Sequence, residues 1–125
     1  MASQFVQFQS KQKNPENPGV EDIDPKELWE KRAEVVIVDV RRPDEYSGEL
    51  GHIAGSEHMV LDTLPLRFDE LPQERTLVFV CRSGARSGRA TAFAHSQGHT
   101  SAYNMKGGML LWNELNLQTE SRNEG

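Results

Sequence analysis

The chain has 125 residues, of which 36% are hydrophobic and 26% charged, and its formal net charge is −5. A chain of this length forms one domain and buries enough surface to fold without disulfides or a structural metal. No segment approaches the roughly 18 apolar residues of a membrane span. The acidic balance argues against nonspecific nucleic-acid binding, which needs many phosphate contacts. Composition therefore excludes a membrane protein and a basic nucleic-acid-binding protein.

Cys81 is the chain's single cysteine, so no disulfide can form within the chain. This cysteine usage is typical of a reducing compartment, and the N-terminus lacks the basic and apolar segments of a secretion signal. We therefore predict a cytoplasmic protein. Any covalent chemistry at the thiol must pass its product to another molecule.

The two ends of the chain are polar. Residues 1–19 are rich in Gln, Lys, Asn and Pro, which predicts a flexible N-terminal leader whose Phe5 and Phe8 are the residues able to dock. Residues 117–125 predict a polar C-terminal tail. The domain itself is expected to span residues 20–116.

The first predicted elements are a helix and a buried strand. Asp24, Pro25 and Glu27 combine an N-cap, a proline at the first helical position and an acid three residues after the cap, which predicts a helix to about Arg32. Residues 35–40 are a β-branched run without polar alternation, which is typical of a central strand covered on both faces.

Strands and helices alternate through the rest of the chain. A second buried run predicts a strand over residues 76–80 and a third strand over 100–105, and helices are predicted over 63–71, 87–97 and 109–112. This order predicts an α/β domain with a mainly parallel sheet.

The loop after the second buried strand is the candidate site. Cys81 comes one residue after that strand, and ligands of open α/β sheets bind at the carboxyl ends of the strands. Small residues and a helix N-terminus follow, so backbone amides can turn inward and hold an anion. We expect this loop to favour the thiolate of an accessible Cys81. The loop residues are Arg82, Ser83, Gly84, Ala85, Arg86 and Ser87.

Local charge supports an anion site. Residues 76–113 contain no Asp or Glu but carry Arg82, Arg86, Arg89 and Lys106. Arginine donates charge-assisted hydrogen bonds to oxyanions, so Arg82 and Arg86 are the predicted donors to a ligand such as thiosulfate, phosphate or arsenate.

Five short segments, in order, resemble the single-domain rhodanese (sulfurtransferase) family. They are Val38-Asp39-Val40-Arg41, Pro43-Asp44-Glu45-Tyr46, Gly51-His52-Ile53-Ala54-Gly55-Ser56, Cys81-Arg82-Ser83-Gly84-Ala85-Arg86-Ser87, and Asn104-Met105-Lys106-Gly107-Gly108 with Trp112. The resemblance covers about residues 21–115. It implies an α/β rhodanese-like fold with a five-stranded, mainly parallel sheet flanked by helices on both faces.

The resemblance also implies a reaction without a cofactor. Cys81 would be the catalytic nucleophile, taking a sulfane sulfur from a small anionic donor such as thiosulfate and passing it to cyanide or a thiol, which could belong to a sulfur-carrier protein. Asp39 and Arg41 are expected to support the loops at the strand end, and Lys106 to reach the rim of the pocket. No metal is expected, because a single cysteine with His95 and His99 cannot complete a thiolate zinc site.

Two other functions stay open at this stage. A sulfur-relay or protein-interaction module would keep the cysteine without free turnover. A cysteine phosphatase or arsenate reductase would also use an anion loop. Only four residues separate Cys81 from Arg86, whereas cysteine phosphatases place five there, so the ring is too small for phosphate.

Overall fold

Helices and strands alternate along the chain, as the sequence predicts. The computed structural model describes residues 5–120. The strands are β1 (Gln12–Lys13), β2 (Glu21–Ile23), β3 (Val36–Asp39), β4 (Glu57–His58), β5 (Leu77–Val80) and β6 (Ala102–Met105). The helices are α1 (Pro25–Lys31), α2 (Pro43–Tyr46), α3 (Leu64–Arg67), α4 (Ala85–Ser96) and α5 (Gly108–Glu114), and 3₁₀ turns cover Arg32–Glu34, Leu61–Thr63 and Phe68–Glu70.

The strands form one sheet in the order β1-β2-β6-β5-β3-β4. Five of them are parallel, with Val38 opposite Phe79 and Val78 opposite Tyr103. The sixth, β1, pairs antiparallel with β2. The mainly parallel α/β fold is confirmed, and the sheet has one strand more than the resemblance implied because residues of the predicted leader extend its edge.

Helices cover both faces of the sheet. Neighbouring residues of a strand point to opposite sides, so each face presents apolar side chains to the helices that cover it. On one face Val78 and Val80 pack with residues of α1 and α5, including Leu28 and Trp112. On the other face the strand residue Phe79 packs with residues of α3 and α4. Strands β3, β5 and β6 are buried almost throughout, which explains why they have no polar alternation.

The first helix starts at Pro25 as predicted, but its capping differs. The Asp24 side chain makes no capping hydrogen bond. The Asp24 amide instead donates to Ser10 Oγ at 2.9 Å, and the Glu27 carboxylate accepts from Ser10 Oγ at 2.6 Å. Ser10 therefore replaces the expected reciprocal cap, because a residue distant in sequence supplies the hydroxyl.

The predicted helix over 63–71 is also different. It divides into α3 and the flanking 3₁₀ turns Leu61–Thr63 and Phe68–Glu70. Pro65 lies in the first turn of α3, where its missing amide hydrogen costs no helical hydrogen bond. Leu64 and Phe68 nevertheless bury the face that the pattern predicts.

Residues 5–19 of the predicted leader lie against the domain. Phe8 is 3% exposed, and its ring packs edge-on against Tyr103 at 5.2 Å between centroids. The Val6 amide donates to Thr76 Oγ1 at 2.7 Å. The division of the chain at residue 20 stays a prediction, and residues 121–125 of the predicted tail lie outside the described range.

None of the helices within residues 5–120 is both long and apolar enough to cross a lipid bilayer.

Candidate functional site

The thiol of Cys81 lies at the floor of the loop between β5 and α4. Its Sγ accepts hydrogen bonds from the amide of Gly84 at 3.1 Å and from the amide of Ser87 at 3.3 Å, and Ser87 Oγ lies 3.2 Å away. Gly84 has φ +105°, a left-handed conformation that glycine adopts without a Cβ penalty and that turns its amide inward. The loop thus encloses the sulfur with donors.

More donors remain open in the same loop. The amides of Ser83, Ala85 and Arg86 make no hydrogen bond within residues 5–120. Ala85 and Arg86 start helix α4, where the amides of the first turn have no intrahelical partner and carry the positive end of the helix dipole. These amides can therefore donate to an anion bound at the loop.

Cys81 is buried, with 1% of its surface exposed, whereas the sequence led us to expect an accessible thiol. The difference arises because the Gly84 and Ser87 amides and the Ser87 hydroxyl contact the sulfur and cover it. The neighbouring Arg82, Ser83 and Ala85 are exposed. A reactant must therefore pass between these loop residues to reach Sγ.

The two loop arginines have different environments. Arg86 binds the Glu45 carboxylate with both terminal nitrogens, at 2.7 and 2.9 Å. The hydrogen bonds from Arg86 outweigh partial burial and lower the pKa of Glu45 to about 2, and the same pairing raises the pKa of Arg86. Arg82, by contrast, makes no side-chain hydrogen bond or ion pair to any of residues 5–120.

Arg82 borders a cavity of about 200 Å³ on the α2 side of the loop. The lining residues are Arg41, Asp44, Glu45, Gly48, Glu49, Leu50 and Arg82. Because its guanidinium is uncommitted, Arg82 is the loop arginine able to bind an incoming anion. Glu45 is a site residue that the sequence reasoning missed, although the segment Pro43–Tyr46 pointed to it.

Asp39 and Arg41 form a buried ion pair at the end of β3. Arg41 Nη2 lies 2.8 Å from Asp39 Oδ2 and also donates to the Gly51 carbonyl at 2.8 Å. Arg41 Nη1 donates to the Glu45 carbonyl at 3.1 Å. These bonds tie the segment that carries Glu45 to the sheet, and the supporting role of Asp39 and Arg41 stays a prediction.

Lys106 points away from the loop toward the leader. Its Nζ donates to Gln12 Oε1 on β1 at 3.1 Å. Gly107 and Gly108, which follow it, bring the start of α5 against the loop: the amide of Met109 donates to the Cys81 carbonyl at 2.8 Å. The backbone next to Lys106, and not its ammonium, contacts the site.

A polar chain links Cys81 to the leader. Ser87 Oγ donates to Asn104 Oδ1 at 2.5 Å, Asn104 Nδ2 donates to Asp22 Oδ1 at 2.9 Å, and Asn14 Nδ2 donates to the same Asp22 oxygen at 2.9 Å. The sequence reasoning placed Asn104 only within a family segment and missed Asp22 and Asn14. The signal for Asn104 is its position at the end of β6, beside the strand that carries Cys81.

The histidines serve in packing. The His52 ring stacks on Tyr46 at 4.0 Å, and His58 stacks on the same ring at 4.3 Å. His95 Nε2 lies 3.0 Å from the Ala102 carbonyl and His99 Nε2 3.2 Å from that of Pro72. Across residues 5–120, no group of three or more His, Cys, Asp or Glu side chains is arranged to hold a metal ion.

Comparison with known proteins identifies the same unit. The sequence profile of the rhodanese-like domain matches residues 24–115. A sulfurtransferase of Allochromatium vinosum is 35% identical over 96 residues, covering 74% of this chain and 88% of the relative. The thiosulfate sulfurtransferase GlpE of Stutzerimonas stutzeri is 34% identical over 82 residues, covering 66% of this chain and 73% of the relative.

Solved structures agree with the fold. A rhodanese-related protein of Thermoplasma volcanium superimposes with a TM-score of 0.71 at 27% identity, covering 78% of this chain and 94% of that one. A rhodanese-like domain protein of Staphylococcus aureus gives a TM-score of 0.69 at 30% identity, covering 80% and 98%.

Proposed function

Since the chain belongs to the rhodanese-like domain family, we propose that it is a sulfurtransferase that carries a sulfane sulfur as a persulfide on Cys81. The observation that carries the proposal is the thiol at the floor of a six-residue loop, with two amides donating to its Sγ and three more loop amides without an acceptor among residues 5–120. Such a ring of donors stabilises negative charge on sulfur without a metal or a base.

The proposed reaction has two displacement steps. In the first, the Cys81 thiolate attacks the outer sulfur of thiosulfate, the sulfur–sulfur bond of the donor breaks, and sulfite leaves with the bonding electron pair. In the second, cyanide or a thiolate attacks the outer sulfur of the persulfide and the Cys81 thiolate leaves. The products are thiocyanate or an acceptor persulfide, and covalent catalysis divides the transfer into two easier steps.

The site fits thiosulfate better than phosphate or arsenate. The four residues between Cys81 and Arg86 make a small ring, and Arg86 is already neutralised by Glu45. A phosphoryl group held inside the ring by Arg86 would have to displace that carboxylate. Arg82, which has no acidic partner within residues 5–120, meets a small oxyanion at the entrance. The loop therefore supports sulfur transfer over phosphate hydrolysis.

The burial of Cys81 sets a condition on this proposal. A donor reaches Sγ only if it passes the exposed residues Arg82, Ser83 and Ala85. Once formed, the outer sulfur of the persulfide extends from the floor of the loop toward the open amides. The acceptor then meets the transferred sulfur, not the buried Cys81 sulfur.

Intact mass after incubation with thiosulfate tests the proposal. The wild-type protein is expected to gain one sulfur atom and to lose it on addition of cyanide, with thiocyanate released. Cys81→Ser is expected to gain none, because a serine hydroxyl is a poor nucleophile without a base. Wild-type protein alkylated at Cys81 is the matched control, since it keeps the native backbone. Sulfur loading in either blocked form would refute the assignment.

Acceptor assays separate the enzyme from a sulfur-relay module that keeps the same thiol. Repeated turnover with thiosulfate and cyanide is expected for the enzyme. If Cys81 loads sulfur and passes it to a protein thiol without repeated turnover, the protein is a sulfur-relay module and not an enzyme. If it hydrolyses a generic aryl phosphate in a reaction that depends on Cys81, it is a phosphatase.

The proposal includes the cytoplasmic location predicted from the lone cysteine.

A further inference from the structure

We propose that Asn104 is a positioning residue that withholds the Ser87 hydroxyl proton from the Cys81 sulfur until that sulfur carries negative charge. This inference rests on the proposed function in taking Cys81 as the reacting thiol. It concerns one proton with two acceptors in reach: Asn104 Oδ1 at 2.5 Å and Cys81 Sγ at 3.2 Å from Ser87 Oγ.

The hydrogen-bond donors and acceptors fix the direction of the chain. The Asp22 carboxylate only accepts, so the atom of the Asn104 amide that faces it at 2.9 Å must be the nitrogen. The same nitrogen lies 3.2 Å from the Gly84 carbonyl, which also only accepts. Asn104 Oδ1 therefore faces Ser87 and can only accept. Ser87 must donate its single proton to Asn104.

The direction of the Ser87 hydrogen bond determines which form of the sulfur is favoured. Because the Ser87 hydroxyl donates its proton to Asn104, Ser87 Oγ presents a lone pair to Sγ. That lone pair accepts from a neutral thiol and repels a thiolate or a persulfide anion. When the sulfur ionises, rotation of the hydroxyl about its Cβ–Oγ bond moves the proton from Asn104 to the sulfur. No bond to a heavy atom breaks, and Asn104 loses its hydrogen bond from Ser87.

Asn104 is rigidly held for this role. It is 2% exposed, on the buried strand β6, and its amide has partners at both ends. The leader supports it through Asp22, which also binds Asn14 Nδ2 at 2.9 Å. A Cβ on Gly88 would lie 2.8 Å from Asn17 Nδ2, so the glycine lets the leader approach the helix that carries Ser87.

Charged groups around the sulfur act alongside this pair and remain in the variants below. They are Arg86 with its partner Glu45, the adjacent Arg82, the Asp39–Arg41 pair at the end of β3, and Asp22 behind Asn104. Lys106 on the α5 side is directed to Gln12. A change in these groups would alter the reactivity of the thiol whether or not Ser87 is present. Only an effect that disappears in Ser87→Ala can therefore be assigned to the Ser87 proton.

The test is the pH dependence of Cys81 alkylation by iodoacetamide in full-length protein. Asn104→Leu, close in volume but without an acceptor, frees the Ser87 proton for the thiolate. Since the Ser87 proton then reaches the thiolate without giving up a hydrogen bond to Asn104, we expect alkylation at pH 6.5 to become about tenfold faster and its pH midpoint to fall by about one unit. In a Ser87→Ala background the same substitution is expected to have no such effect.

Matched variants separate positioning from a general structural effect. Asn113→Leu removes two amide–carbonyl bonds of similar length at the far end of α5 and is expected to leave the midpoint unchanged. If Asn104→Leu does not fold, Asn104→Thr, a strand-compatible residue too short to reach Ser87, takes its place. An equal effect of the Asn104 variant with and without Ser87, or no shift at all, would overturn the proposal.

This experiment is independent of sulfur transfer. Alkylation reports the thiol alone. If Asn104→Leu shifts the alkylation midpoint only when Ser87 is present, but the protein never loads sulfur, the proposed function is refuted and the role of Asn104 stands. If the protein loads sulfur normally but the Asn104 effect does not depend on Ser87, the role of Asn104 is refuted and the proposed function stands.

Discussion

Arg82 and Arg86 carry the same charge in the same loop, and their neighbours give them different tasks. Arg86 is fixed by two hydrogen bonds to the Glu45 carboxylate. The same carboxylate accepts a hydrogen bond from the Arg42 amide at 3.1 Å, which holds the start of α2. A bidentate arginine–carboxylate pair of this kind has high geometric specificity. Arg86 is thus held by Glu45, while Arg82 is exposed and, in the proposed function, binds the anionic donor.

Arg82→Ala is therefore expected to weaken the use of anionic donors. We expect the KM for thiosulfate to rise by roughly tenfold, the value of one charge-assisted hydrogen bond, with kcat changing less. Steady-state kinetics with thiosulfate and cyanide measure both constants. Arg89→Ala, which removes another exposed arginine on α4, is the matched control. An unchanged KM in Arg82→Ala would remove its role in binding.

At the scale of elements, α5 closely approaches the loop between β5 and α4, which carries the candidate site. The amides of Met109 and Leu110 donate to the carbonyls of Cys81 and Arg82 at 2.8 and 3.0 Å. Gly108 makes this approach possible: it has φ +60°, and a Cβ there would lie 2.4 Å from the Arg82 carbonyl carbon and oxygen. Backbone atoms cannot move aside as a flexible side chain can.

Gly108→Ala is expected to destabilise the protein and to displace the loop. Left-handed strain and the backbone clash together should lower the free energy of unfolding by about 3 kcal/mol or more. Gly98→Ala is the control, because Gly98 has φ +90° but a Cβ there meets nothing within 4 Å. Urea unfolding compares the two variants. Equal losses of stability would show that the close approach at Gly108 contributes nothing.

At the scale of the whole molecule, Glu27 joins the leader to the domain. Its carboxylate accepts from the amides of Gln9 and Ser10 at 2.8 and 2.9 Å and from Lys31 Nζ at 2.7 Å. Burial alone would raise the pKa of Glu27, but the hydrogen bonds from Lys31, Ser10 and the two amides outweigh it and lower the pKa to about 2. The leader is therefore held by an ionised carboxylate.

This linkage predicts a pH-dependent stability. A carboxyl whose folded pKa is lowered from 4.5 to about 2 stabilises the fold fully above pH 4.5, and the contribution disappears as the pH falls toward 2. Glu27→Gln is expected to lose about 2 kcal/mol at pH 7, as for a hydrogen bond to a charged group, and to approach wild-type stability near pH 2.

Urea unfolding at pH 7, 4 and 2.5 measures the dependence. Glu30→Gln, an exposed acid on the same helix, is the control and is expected to change little at any of these pH values. If Glu27→Gln differed from wild type by the same amount at pH 2.5 as at pH 7, ionisation of Glu27 would not be the cause.

Much of the fold followed from local patterns. The β-branched runs that became β3 and β5, the start of α1 at Pro25 and the loop after Cys81 are all visible in the sequence, since they depend on residues adjacent in the chain. The continuous helix predicted over 63–71 was wrong, because apolar spacing does not specify where α-helical hydrogen bonding changes to 3₁₀ turns.

The partners of the site could not be predicted in the same way. Glu45 lies 41 residues from Arg86, and Asp22 lies 82 residues from Asn104. Nothing in either local sequence states that one side chain will meet the other. The order of strands in the sheet brings them together, with β2, β6, β5 and β3 side by side at their carboxyl ends.

The sequence by itself determined a parallel α/β domain and the position of one thiol in a loop of small residues and arginines, because strand burial and loop chemistry are properties of contiguous residues. Only the tertiary structure decided that this thiol is buried, that Arg86 is neutralised, and that the Ser87 proton is held by Asn104. Those outcomes depend on directional contacts between distant segments, and a hydrogen bond forms only where the fold places donor and acceptor about 3 Å apart.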